Sequence, residues 1–163
     1  MTTYEYQKLV YCPDRLRSTL AASGFPSAGV ISSCGETPKV WVTVSEQGDP
    51  SSAVNAYVDP NKLTMASDKP VGTDGIPEAF GDGQDTHSIT IYKKDWGGVT
   101  VPGSEVVRIQ PSQMIAANPH ITSLVDGIGR ISVGPTTMIG TITLKVVDQA
   151  GNLVSGSLMV RFV

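Results

Sequence analysis

Thr141-Ile-Thr-Leu-Lys-Val-Val-Asp-Gln-Ala-Gly-Asn-Leu-Val-Ser-Gly-Ser-Leu-Met-Val-Arg-Phe-Val163 holds two alternating runs on either side of a polar break. In the first run Ile142, Leu144 and Val146 fall on one face, with Thr141, Thr143 and Lys145 on the other. In the second, Leu158, Val160 and Phe162 alternate with Ser157, Met159 and Arg161. Period-two alternation around such a break predicts an antiparallel hairpin with one buried face. The break, residues 148–152, offers Asp148, which can bond its own backbone, and Gly151 and Asn152, which tolerate positive φ. The last run is expected to be tied into a sheet rather than frayed. The hairpin is scaffold and carries no chemistry.

Upstream, from residue 61, the same β texture continues. Residues 62–66 form a first strand candidate, and residues 68–83, rich in Gly, Pro and Asp, read as a long surface loop. Residues 85–94 form a clear strand with Ile89 and Ile91 pointing in and Ser88, Thr90 and Tyr92 pointing out. Further strands are expected over 106–110, 122–126 and 129–134. Short strands separated by turn residues predict a β-sandwich, with an antiparallel barrel as the alternative.

Residues 1–60 differ. A strand is expected over 4–11, then a helix over 14–23, with Pro13 in its first turn, Gly24 just past its end and Leu16, Leu20 and Ala21 on one side. Strands follow over 29–33 and 40–44. A second helix over 49–60 is capped by Asp49, begins at Pro50 and is stopped by Pro60. The expected architecture is therefore mainly β: a small N-terminal α/β module of order β-α-β-β-α over 1–60, then an immunoglobulin-like sandwich over 61–163. A module of that size is near the lower limit for independent stability and is expected to lean on a partner.

Bulk properties narrow the classes. The 163 residues are 40 % hydrophobic and 17 % charged, as in a folded globular chain. A net charge of −3 gives no basic footprint for nucleic acid. No apolar run approaches the roughly 20 residues that cross a bilayer. Residues 1–6 lack the basic start and apolar centre of a signal peptide, so synthesis in a cytoplasm is expected.

Two regions of the chain, roughly residues 62–163 and the N-terminal unit, resemble known proteins. Gly81-Asp-Gly-Gln-Asp-Thr-His-Ser-Ile-Thr-Ile91 resembles the opening of bacterial immunoglobulin-like repeats of the invasin/intimin type, with Gly83, Asp85, Ser88, Ile89 and Ile91 on the pattern. The runs 124–133 and 140–144, each with a turn glycine before or within an alternating stretch, resemble the late strands of the same repeats. The N-terminal unit, with its aromatic strand and Pro-Asp-Arg-Leu-Arg helix, looks like small N-terminal modules on structural proteins of tailed bacteriophages. The resemblance implies a non-enzymatic virion protein assembled onto a particle, foremost a capsid decoration protein on a repeating shell lattice. A tail- or fibre-associated protein, or a carbohydrate-binding or adhesin module, is the alternative. The implied partners are major capsid or tail proteins, further copies of the chain and, weakly, host glycans, with no nucleic acid, membrane or cofactor.

No catalytic constellation emerges. His87 lies in Asp-Thr-His-Ser, but a triad needs serine and carboxylate arranged around the ring in space. On a strand Asp85 and His87 share a face while Ser88 points away, so His87 reads as a strand-surface residue and His120 as a loop residue. Neither histidine has zinc-like spacing. Asp68, Asp74, Glu78, Asp82 and Asp85 surround the long loop without an EF-hand pattern and read as solvated acids. Cys12 and Cys34 are expected to be reduced thiols, lying close only if the first two strands are parallel neighbours. Tyr4, Tyr6, Tyr11, Trp41 and Trp96 remain as candidate interface residues; Trp96, at a turn, is the one that would suit a sugar platform.

Overall fold

Val40, Val42 and Val44 are buried and alternate with half-buried Lys39, Trp41 and Thr43, the pattern of a strand with one face on a core. In the computed structural model, which describes residues 1–113 and 121–163, this strand is the centre of the first of two compact units, Met1–Asp59 and Pro60–Val163. His120 lies outside the described residues.

The first unit runs β1 (Thr2–Tyr6), α1 (Pro13–Ala22), β2 (Gly29–Ser33), β3 (Lys39–Val44) and α2 (Ser51–Ala56). The sheet order is β1-β3-β2, with both outer strands antiparallel to β3. Leu16 and Leu20, one turn apart on α1, are fully buried against Val10, Val30, Val40, Val42 and Val54. β1 stops at Tyr6, short of the expected residue 11. There the chain turns out of the sheet, with the Lys8 N–H donating to the Tyr6 carbonyl.

The turn sends the Lys8 ammonium to the end of α2, where it donates to the carbonyls of Val54 (2.6 Å), Asn55 (3.0 Å) and Tyr57 (2.6 Å). It serves carbonyls left unpaired at a helix C-terminus and complements the dipole there. Lys8→Met is therefore expected to cost about 2–3 kcal/mol and to speed amide exchange across α2, as measured by hydrogen exchange.

α2 is also shorter than expected, because Tyr57 is extended (φ −65, ψ 134). The helix begins at Ser51 with Pro50, not Asp49, at the cap position and no side-chain cap; Asp49, one residue earlier, accepts from the Ser51 N–H at 2.9 Å. The cysteine geometry needs correcting. β3 lies between β1 and β2, so these two are not neighbours, and Cys12 and Cys34 are both free. The strand with three buried valines takes the centre, where both its edges are paired.

The second unit contains β4 (Lys62–Ser67), β5 (Glu78–Ala79), β6 (His87–Lys94), β7 (Val106–Pro111), β8 (Ile121–Ser123), β9 (Ile128–Val133), β10 (Gly140–Asp148) and β11 (Gly156–Phe162). They form one sheet of order β5-β11-β10-β7-β8 and another of order β4-β6-β9. One core joins them: Leu63, Ile89, Ile91 and Val133 from the smaller sheet meet Val107, Ile109, Ile142, Leu144, Val146, Val160 and Phe162 from the larger. The chain is thus mainly β, as its alternation predicts.

The terminal hairpin pairs Ile142 with Val160 and Leu144 with Leu158. Asp148 orders the turn by accepting from the N–H groups of Ala150 (3.1 Å), Asn152 (2.8 Å) and Leu153 (3.3 Å). β11 then begins at Gly156, after Val154 has exchanged backbone bonds with Leu63 of β4 and with Asn61 just before that strand.

The stretch expected to be one long loop contains β5, which runs parallel to β11 with Glu78 opposite Arg161 and Ala79 opposite Phe162. Burial of Ala79 and the Arg161–Glu78 ion pair hold this two-residue strand. The expectation for His87 is also overturned, since the ring is fully buried. It has the parity of Ile89 and Ile91 and lies on their face.

Candidate functional site

The register of the N-terminal sheet brings three side chains into a row on its outward face: Glu5, Trp41 and Ile31, from β1, β3 and β2. Ile31 is 69 % exposed. The Trp41 indole N–H donates to Glu5 Oε2 at 2.9 Å, and the Lys39 ammonium donates to Glu5 Oε1 at 2.6 Å. Hydrogen bonds from Lys39, then Trp41, hold the Glu5 carboxyl below the usual carboxylate range. Next to this row the hydroxyls of Thr3 and Thr43 are bonded at 2.9 Å. The face therefore presents an oriented aromatic body and an exposed aliphatic side chain, with polar groups already paired beside them. That combination suits burial against a partner.

The other aromatic candidates are placed differently. Tyr4 and Tyr6 pack on the core side of the sheet. The Tyr4 hydroxyl donates to the Gly48 carbonyl at 2.9 Å, and the Tyr6 hydroxyl is bonded to that of Ser51 at 3.2 Å. Tyr11 is 41 % exposed, and its backbone N–H donates to Asp59 Oδ2 at 2.9 Å. In the second unit the Trp96 indole N–H donates to the Pro60 carbonyl at 3.1 Å, and the Lys62 ammonium lies 5.0 Å from its ring centroid. The Lys62 ammonium thus lies over the ring of Trp96, which is half-buried at its turn.

Sequence reasoning missed a second exposed apolar surface. Val71, Phe80 and Val163, with Pro70, Gly72, Glu78 and Ala79, line a pocket of about 200 Å³ beside β5. Phe80 is 67 % and nearby Ile139 77 % exposed. The available signal was a phenylalanine within a loop of Gly, Pro and Asp.

The titratable groups serve the fold. The Nε2–H of His87 donates to the Arg161 carbonyl at 3.0 Å, so Nδ1 accepts from the Ser67 hydroxyl at 2.8 Å. The ring stands edge-on to Phe162, 4.9 Å between centroids. Burial pushes the imidazole below its ordinary value.

The acids around the expected loop are likewise engaged. Asp74 and Glu78 pair with Arg161, Asp85 with Lys69, Asp82 accepts from the N–H groups of Gln84 and Asp85, and Asp68 accepts from the Ser88 N–H. Among the described residues no group of three or more His, Cys, Asp or Glu side chains is disposed to hold a metal ion.

The two thiols differ in environment. Burial, then the neighbouring Asp59 carboxylate, pushes the Cys12 thiol up, while Cys34 is exposed. Maleimide labelling near neutral pH is expected to modify Cys34 first and Cys12 more slowly, because Cys12 is less exposed and its thiol is pushed up. Peptide mapping of the partly labelled chain checks the order.

No known protein-family profile and no curated protein matches the chain. Solved structures do. A β-glucuronidase from glycoside hydrolase family 2 matches with TM-score 0.51 and 20 % identity, over 65 % of this chain and 12 % of that one. A glycosyl hydrolase family 2 member from Bacteroides cellulosilyticus matches with TM-score 0.52 and 18 % identity, over 81 % of this chain and 17 % of that one. Another family 2 member, from Bacteroides cellulosilyticus DSM 14838, gives TM-score 0.50 and 18 % identity over 79 % and 17 %. The chain thus spans less than a fifth of the solved chains it matches. At such identity the likeness is one of fold.

Proposed function

We propose that this chain is a non-enzymatic structural protein of a bacteriophage virion. In this reading it is a capsid decoration protein that attaches to a repeating shell lattice through its N-terminal unit. Its C-terminal immunoglobulin-like sandwich stabilises the shell or adheres weakly to the host surface. The observation that carries the reading is the outward row Glu5–Trp41–Ile31, an aromatic anchor held in one orientation on a rigid sheet. Support also comes from the division into two compact units and from the engagement of His87 and the loop acids in structural bonds.

Docking would bury the row against a shell protein. Repetition over the lattice would convert a modest single-site affinity into stable attachment. Quantitative mass spectrometry of purified particles from the source tests the reading. The chain is expected at a copy number comparable with the capsid protein. A copy number matching one tail or fibre structure would relocate it there, and particles containing none would end the proposal.

A further inference from the structure

The N-terminal sheet has an open edge suited to self-pairing. Strand β2 bonds to β3 on one side, and among the described residues no other backbone hydrogen bond involves residues 30–33. Its five residues, Gly-Val-Ile-Ser-Ser, carry no charge and no proline, the two commonest devices that keep an edge from pairing. Three other edges are blunted. β5 is covered by its own preceding loop, through the bond from the Glu78 N–H to the Pro70 carbonyl and the bridge between Val71 and Pro77. β4 exchanges backbone bonds with Val154, and β1 carries the charge of Glu5.

We propose that β2 pairs antiparallel with β2 of a second copy, about a two-fold axis through Ile31. A second copy fits this edge because the strand is symmetric about its central residue in the sense that matters. The register sets Ile31 opposite Ile31, Val30 opposite Ser32 and Gly29 opposite Ser33, with no like charges apposed. The product is a six-stranded sheet of order β1-β3-β2-β2-β3-β1. Both outward faces lie on one side, so the row becomes Glu5–Trp41–Ile31–Ile31–Trp41–Glu5, a continuous apolar stripe with acidic ends. Such an edge contact buries little area and is expected to be weak in free solution, in the micromolar range or above. It doubles the surface offered to the lattice. The inference deepens the docking reading and rests on it only for what the doubled face meets; self-association is measured without particles, so the two can fail separately.

The test is sedimentation equilibrium of the whole chain from roughly 1 μM to 1 mM, with Ile31→Arg and a cysteine pair as variants. The wild-type chain should show a monomer–dimer equilibrium. Ile31→Arg, which places like charges across the axis on an exposed position, should weaken it at least tenfold without moving the thermal transition. In a Cys12→Ser, Cys34→Ser background, Ile31→Cys should form a disulfide-linked dimer on mild oxidation, since directly opposed antiparallel residues lie within disulfide reach. Ser33→Cys, several residues from its own copy across the axis, should not. A chain that stays monomeric throughout, a dimer indifferent to Ile31→Arg, or crosslinking at 33 in place of 31 would each overturn the proposal.

Discussion

Gly156→Ala is expected to destabilise the C-terminal unit by more than about 4 kcal/mol, seen as a large drop in its unfolding temperature, and to leave the N-terminal unit folded. That outcome follows from where Gly156 sits. A Cβ there would lie 2.2 Å from the Leu63 carbonyl oxygen and 3.0 Å from its carbon, and both are backbone atoms of β4. No rotamer change relieves such a clash, so β4 must move away from β11. It would then give up the bonds between Leu63 and Val154 (2.8 Å) and between Val154 and Asn61 (2.9 Å), which tie the two sheets together. Overpacking with backbone displacement, plus two lost hydrogen bonds, should exceed about 4 kcal/mol, a large part of a typical domain's stability.

The N-terminal unit has its own core around Leu16, Leu20 and Val42, and its amides should keep their protection in hydrogen exchange. Gly151→Ala is the control. Its φ of +73 disfavours a side chain, but a Cβ there meets open space, so about 1–2 kcal/mol is expected. Equal effects of the two substitutions would refute the assigned closure point.

The second large effect is a loss of C-terminal stability on mild acidification, traced to His87. The folded ring is neutral, buried, and bonded through both nitrogens. Burial is the main cause of its lowered pKa. The bond to the Arg161 carbonyl and the charges of Asp68 and Asp85 act the other way, and Lys69 acts with burial.

The unfolded ring titrates near 6.5 and the folded ring lower, so between the two values the unfolded chain binds more protons. The contribution is complete above pH 6.5 and fades as pH falls toward the folded value, at up to about 1.4 kcal/mol per pH unit. Thermal unfolding from pH 8 to 5 should show this slope in the wild type and its absence in His87→Gln. A slope that persists in the variant would assign it to another group. More strongly acid conditions bring in Asp85, which Lys69 and the Phe80 N–H hold at about 2. Its stabilisation is present above 3.8 and lost as pH falls toward 2.

His87 also marks what could be read in the sequence. Its inward position follows from the parity of Ile89 and Ile91, two and four residues on, and only its polarity argued for the surface. The paired nitrogens explain why a polar ring is tolerated there, and those partners lie on β4 and β11, far along the chain. The terminal hairpin was legible because alternation, turn chemistry and length agree over Gly140–Asp148 and Gly156–Phe162. β5 was not, because two residues carry no periodicity and the strand exists through Arg161 and Phe162, more than eighty residues later.

The condition under which Cys12 and Cys34 would lie close is not met for a related reason: burial of three valines puts β3 between the first two strands. Trp41 was visible as a candidate from its type alone. The row that gives it a role required the register that sets Glu5 and Ile31 on either side.

Co-sedimentation of the purified chain with empty capsids from its source, wild type against Trp41→Ala, tests the central claim most directly. The wild type should saturate the particles at a repeating, stoichiometric number. Trp41→Ala, which removes a half-buried side chain from the outward face and leaves the core valines untouched, should bind at least about thirtyfold more weakly, the loss expected when a central aromatic anchor worth 2 kcal/mol or more is truncated. Wild-type affinity in the variant, or a wild-type chain that stays in the supernatant at every particle concentration, would contradict the account.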